Sequence, residues 1–338
     1  MKLAVVGTGL IGASVGLAAR ERLGAEVVGC DLDPAAALDA GAIDRATSLD
    51  EAVDAADACF VCVPVGALVE TVEAALKAAP AQCVVTDVGS VKTPVVAATS
   101  DERFVGGHPR AGAEAGGAAA ARADMFEGAT WFLTPTGATS GIQLEKLHGL
   151  LGGLGARPTV IEADAHDRAM AVVSHLPHVL ANVLVGLAAS GLPVMGPSFR
   201  DATRVAGANP PLWAEIYAAN ATALDDALAQ AIDGLSAMRE RLAAGESLEE
   251  WQSRAALARD ALRAAGAGGD LAELHVVVPN RPGVIADIAL TLAREGINIA
   301  DMSLAPSVDM ATGSLDLSVP AGSETRAREL LAELGLAS

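Results

Sequence analysis

Apolar residues in the first half of the chain come in short blocks separated by amphipathic stretches. KLAVV at 2–6 reads as a strand running into a glycine turn, and ASVGLAARERLG reads as a helix that stops near Gly24. EVVGCD is a second strand ending on Asp31. The rhythm continues with the strand DACFVCVPV, the amphipathic helix ALVETVEAALKAA, and the strand QCVVTDVGSVK. RFVGGHPRAG reads as a strand ending in a loop that carries His108, and ATWFLTP and RPTVIEA as the last strands of this part. Strands alternating with helices predict a largely parallel sheet covered on both faces.

After about residue 165 the strand-like blocks stop. DRAMAVVSHLPHVLANVLVGLAA reads as one long apolar helix, followed by further helices to about residue 265. So much apolar surface on few helices is hard to bury within one chain, which predicts a homodimer packed through these helices. GAGGD at 266–270 reads as a linker. Beyond it, LAELHVVVP is a strand, NRPGVIADIALTLAREGINI a turn, a helix and the start of a second strand, SLDLSVP a third strand and ETRARELLAEL a helix.

The 338 residues carry a formal charge of −19, which argues against nucleic acid or an anionic membrane as partner. No run of 18 uninterrupted apolar residues occurs, and the N-terminus lacks a cleavage site, so the expectation is a cytoplasmic protein with no membrane span. Cys59 and Cys62 form a C-x-x-C within an apolar strand and are read as buried, not redox-active. No Cys/His spacing predicts a metal site.

Gly7-Thr8-Gly9-Leu10-Ile11-Gly12 sits between the first strand and the first helix, and Asp31 follows 19 residues after Gly12. The glycines permit a tight turn and close approach of a pyrophosphate, the helix start offers free N–H groups, and the acid suits ribose hydroxyls. This pattern predicts a Rossmann domain, and a carboxylate at 31 favours NAD over NADP. Ligands of such sheets sit at the carboxyl ends of the strands, where Val63 and Pro64, Asp87 with Ser90, and His108 all fall. The resulting fold class is α/β, with a Rossmann-like domain at 1–165, an all-α substrate and dimerisation domain at 166–265, and a small α+β domain at 271–338.

His108 lies beside the nucleotide turn, where packing explains a histidine poorly. Ser174 and His178 are one helical turn apart and share a face, near a kink expected at Pro177. Arg200 and Arg204, four apart, form either a carboxylate clamp or a solvated face, and Trp213 sits at a helix start. His148 and His166 are read as surface residues and His275 as structural.

The segments GTGLIGASVGLA, DVGSVK, GGHPRAG, SHLPHVLA and SFRDATRVAGANPPLW resemble the prephenate/arogenate dehydrogenases of tyrosine biosynthesis over about residues 1–265. Residues 272–338 resemble an ACT domain, a regulatory βαββαβ module. The resemblance implies oxidative decarboxylation of prephenate or arogenate with NAD. In it His108 would take the proton of the ring C4 hydroxyl, and Ser90 would orient His108 and approach the nicotinamide. Arg204, Ser174, His178 and Arg200 would bind substrate, with Trp213 lining the pocket. Gly7, Gly9, Leu10, Ile11, Gly12, Asp31, Val63, Pro64 and Ser90 would hold the cofactor. The last domain would bind an amino-acid effector, tyrosine in the first instance, near Asn280, Gly283 and Asn298. A 4-amino-4-deoxyprephenate dehydrogenase and a non-catalytic sensor remain as alternatives. One departure is Arg110, where the family commonly has a hydrophobic residue; it is read as pairing with Glu114.

Overall fold

A computed structural model describes residues 1–113, 115–189, 196–265, 271–306 and 311–336. The expected linker at 266–270 and Glu114, the expected partner of Arg110, lie outside the described residues. The chain folds into two compact units, one of residues 1–170, 207–219 and 271–338, the other of 171–206 and 220–270.

In the first unit, eight strands form one sheet: β1 (Lys2–Val6), β2 (Glu26–Cys30), β3 (Arg45–Ala46), β4 (Ala58–Val61), β5 (Val84–Asp87), β6 (Phe104–Pro109), β7 (Thr130–Thr134) and β8 (Arg157–Val160). Their order is β3-β2-β1-β4-β5-β6-β7-β8, parallel throughout except where β7 meets β6. The order reverses between β1 and β4, the crevice in which doubly wound sheets bind ligands. The strands are apolar on both faces because helices cover both; ACFV in β4 is wholly buried. Cys59 and Cys83 are buried, and burial pushes the Cys83 thiol up to about 11, whereas Cys62, expected to be buried in the strand, is half-buried just past the end of β4.

β6 runs further than its sequence predicts. His108 belongs to the strand rather than to a loop after it, because Gly106–Pro109 keep pairing with the antiparallel β7, His108 opposite Phe132.

The C-terminal part of this unit has β9 (Leu271–Pro279), the helix Val284–Arg294, β10 (Asp301–Pro306), β11 (Thr312–Pro320) and the helix Glu324–Glu333. The antiparallel order is β10-β11-β9. The second strand starts at Asp301, past the GINI segment, whose Ile297 and Ile299 are buried instead as core plugs. This part packs on the helix Gly141–Gly153. A Cβ on Gly141 would lie 2.3 Å from Ile285, and one on Gly283 (φ +81) would lie 2.4 Å from the Gly137 carbonyl. His148, expected at the surface, is buried here with Nε2 3.2 Å from the Ile299 carbonyl oxygen, because its helix face is the one the small domain covers.

The second unit is helical: Leu176–Ala188, Pro197–Thr203, Ala221–Ala244 and Glu249–Ala265. Ala171–His175 is a π-turn. Pro177 has no N–H and its ring crowds the carbonyl four residues back, and the widened turn before it accommodates both. The continuous helix Ala163–Ala188 is long and apolar enough to cross a membrane by length and composition, and 22% of its most apolar stretch is buried. Ser174, His175, His178 and Asn182 interrupt it, so a count of unbroken apolar residues misses it.

Candidate active site

The glycine turn follows β1 as its sequence predicts. Gly12 is indispensable to it, since a Cβ there would lie 1.9 Å from the Gly7 carbonyl oxygen. Gly9 is the contrary case: exposed, capping the helix Leu10–Leu23, with nothing within 4 Å of a Cβ position. That is the open approach a pyrophosphate requires. Leu10 and Ile11 are half-buried in the first helical turn. Asp31, just past β2, ties back to the turn by accepting from Thr8 Oγ1 at 3.0 Å and from its own loop at Asp33 N, also 3.0 Å. Burial pushes its carboxyl up, but these bonds and those from backbone N–H groups outweigh it and hold the group below the usual carboxylate range. Val63 and Pro64 follow β4, half-buried and exposed respectively.

The second cluster surrounds β5 and β6. Asp87 and Lys92 form an ion pair in which both side chains are wholly buried. Asp87 Oδ1 also accepts from Gly107 N at 3.0 Å and Oδ2 from Gly89 N at 2.8 Å, while Lys92 Nζ donates to the Gly107 carbonyl at 2.7 Å. Two strands approach so closely here that a Cβ on Gly107 would lie 2.6 Å from the Asp87 carbonyl oxygen, which accounts for glycine immediately before the histidine.

His108 Nδ1 lies 2.9 Å from His166 Nε2, the rings meeting edge to face at 79°. His166 Nδ1 in turn lies 2.8 Å from Asp167 Oδ1. His166 is therefore not the surface residue expected; it is fully buried, between His108 and the edge of Phe132. Ser90 is half-buried in the turn after β5. Sequence reasoning missed Lys92, His166 and Asp167. Lys92 left one signal, a lone cation inside the apolar stretch VGSVKTPVV. His166-Asp167 left none, since an exposed helix start contains the same residue types.

The helix Pro210–Ala219 belongs to this unit. It carries Trp213, whose ring centroid lies 5.5 Å from that of Tyr217, and Glu215 accepts from Gly66 N at 3.1 Å. Arg110, exposed, donates its backbone N–H to the Thr130 carbonyl at 2.8 Å.

In the helical unit, Ser174 falls in the π-turn and His178 in the helix after it, both half-buried. His175 is buried, with Nδ1 3.1 Å from Asn220 Nδ2. Burial and then the Arg204 guanidinium press the His178 pKa downward, so those two stand within electrostatic reach. Arg200 and Arg204 are both exposed, the first within the helix Pro197–Thr203 and the second just beyond its end.

The expected effector residues do not form one cluster in the single chain. Asn280 lines a cavity of about 160 Å³ with Ser140, Gly141 and Arg281. Asn298 lines another of about 330 Å³ with His148, Arg157 and Asp301. Gly283 is buried against Gly137. Among the described residues no group of three or more His, Cys, Asp or Glu could hold a metal ion.

Three family models match the chain: the prephenate dehydrogenase nucleotide-binding domain over residues 15–160, the prephenate dehydrogenase dimerization domain over 162–253, and the ACT domain over 273–335. Prephenate dehydrogenase of Bacillus subtilis is 32% identical, over 96% of this chain and 94% of its own. The structure of arogenate dehydrogenase from Synechocystis superposes with TM-score 0.69 at 30% identity, covering 78% of this chain and 100% of that one. That of prephenate dehydrogenase from Aquifex aeolicus, in complex with hydroxyphenyl propionate and NAD+, gives TM-score 0.72 at 29% identity, covering 78% and 98%. With one relative matched at this level along nearly its whole length, the chain belongs to the prephenate dehydrogenase family.

Proposed function

We propose that the protein is an NAD-dependent prephenate dehydrogenase, converting prephenate to 4-hydroxyphenylpyruvate and CO2 in tyrosine biosynthesis. The observation that carries this reading is that β6 brings an imidazole, His108, to the same carboxyl edge of the sheet as the glycine turn and Asp31. The A. aeolicus relative holds NAD+ and a phenol bearing a propionate, and a ligand of that kind resembles the aromatic product.

Gly7, Gly9, Leu10, Ile11, Gly12, Asp31, Val63 and Pro64 hold the dinucleotide, with Ser90 beside the nicotinamide. When bound, NAD+ supplies the hydride acceptor. His108 takes the proton of the C4 hydroxyl as hydride leaves C4, and returns it to the phenolate oxygen formed when the ring carboxylate departs as CO2. Arg204 and Arg200 meet the substrate carboxylates as guanidinium forks, Ser174 and His178 add hydrogen bonds, and Trp213 lines the pocket.

The three-part division at 1–165, 166–265 and 271–338 belongs to the same proposal, as does a cytoplasmic homodimer. Val183, Leu187, Ile232, Leu235 and Leu257 are each more than half exposed, and a twin subunit covers them. The ACT domain binds tyrosine at a paired interface that unites Asn280, Gly283 and Asn298. The test is NADH formation with prephenate and with arogenate, each offered NAD+ and NADP+. Turnover of prephenate with NAD+ supports the reading; turnover of arogenate alone replaces the substrate, and silence with both rejects the reaction.

A further inference from the structure

We infer that His166 and Asp167 are positioning residues that determine which nitrogen of His108 accepts the substrate's proton. The inference rests on the reading of His108 as the base.

Asp167, on the helix Ala163–Met170, has both oxygens engaged by backbone: Oδ1 accepts from Lys92 N and Oδ2 from Thr93 N, each at 2.7 Å. Burial opposes its charge, but the bonds from His166, Thr93 and Lys92 prevail and hold the carboxyl below its ordinary range. It is a carboxylate and can only accept, so the proton in the 2.8 Å contact sits on His166 Nδ1. Burial keeps His166 neutral against the pull of Asp167. The other charges facing His166, Lys92 and Asp87, push in opposite directions and are paired with each other.

A neutral His166 protonated on Nδ1 has a bare Nε2, which must accept. His108 Nδ1 is then the donor across the 2.9 Å contact, and the basic lone pair of His108 lies on Nε2. Once Nε2 takes a proton, the imidazolium keeps its acceptor, with the Asp167 charge one ring beyond. This is the logic of the carboxylate that orients the histidine of a hydrolase triad, with a second imidazole between them.

Asp167→Asn removes the charge that fixes the chain. Oδ1 accepts from Lys92 N as well as facing His166 Nδ1, and Oδ2 accepts from Thr93 N, so an amide set either way turns its NH2 against a backbone N–H and loosens the hold on one tautomer of His166 and, through it, of His108. In the full-length enzyme with prephenate and NAD+, kcat falls by roughly 10²-fold or more, the loss of an orienting triad carboxylate being about 10⁴-fold. KM for both ligands stays within about twofold, because neither residue is placed on a ligand. The acid limb of the kcat profile moves to lower pH, a readout that a merely structural role leaves in place. His166→Gln, which keeps an acceptor, retains more kcat than His166→Leu. Should Asp167→Asn not fold, 15N spectra of the wild-type imidazoles decide: protonated Nδ1 and bare Nε2 on both rings support the relay, and the reverse overturns it. A kcat for Asp167→Asn within about threefold of wild type also overturns it. Inactive His108→Asn beside such an Asp167→Asn rejects the relay alone, whereas an active His108→Asn rejects the base assignment beneath it.

Discussion

Lys92 and Asp87 meet as an ion pair with both side chains at zero exposure, beneath the strand that carries His108. Burial presses the lysine pKa down, and the Asp87 charge only partly offsets it. Lys92→Met removes the cation and leaves Asp87 buried without it. Loss of one partner of a buried pair costs about 3–5 kcal/mol. Urea unfolding at pH 7.5 measures this, and a loss below about 1 kcal/mol, the scale of an exposed pair, contradicts it.

Stability should fall on the acid side of neutrality. Burial lowers the pKa of His148 and of His166. A histidine whose folded pKa lies below its unfolded value of about 6.5 contributes stability above that pH and loses it as pH falls towards the folded value. Asp167, also lowered by its hydrogen bonds against the effect of burial, adds a second loss below about pH 4. Denaturant midpoints at pH 7.5 and 5.0 test the first step. His148→Gln removes part of the slope, and a flat profile in the wild type contradicts the assignment.

If Asp31 sets cofactor choice as proposed, its replacement shifts the preference between NAD+ and NADP+. Its carboxylate is fixed by Thr8 and Asp33 at the end of β2, where it repels a 2′-phosphate. Asp31→Ser raises KM for NAD+ and improves kcat/KM with NADP+, shifting the ratio by about tenfold, equivalent to 1.4 kcal/mol. An unchanged ratio places discrimination elsewhere.

Arg204 presses on the His178 pKa from within the helical unit. If its guanidinium clamps a substrate carboxylate, Arg204→Ala lowers kcat/KM for prephenate by about 10²-fold, the scale of a lost charge-assisted pair, while KM for NAD+ is unchanged. A loss confined to NAD+ reassigns the residue.

For the effector, Asn280→Ala should weaken inhibition by tyrosine without altering kcat in its absence. The residue is exposed, on the loop after β9, and shares a cavity with Glu102, which precedes β6. Full retention of tyrosine inhibition in both Asn280→Ala and Asn298→Ala moves the sensor out of this domain.

Sequence alone determined the alternation of strands and helices, the glycine turn with Asp31, the apolar helices and the small C-terminal module. These are local properties: period, turn chemistry and the spacing of a phosphate-binding turn are written in neighbouring residues. It also singled out His108, because packing poorly explains a histidine beside the nucleotide turn. Only the tertiary structure decided what stands behind that histidine. His166 lies 58 positions away and Asp167 reaches back 75 to Lys92, so no periodicity links them. Burial, too, is a tertiary quantity: His148 and His166 look like surface residues until a covering domain and a neighbouring strand remove them from water. The extension of β6 through His108 has the same origin, since an antiparallel partner supplies hydrogen bonds that its own sequence does not announce.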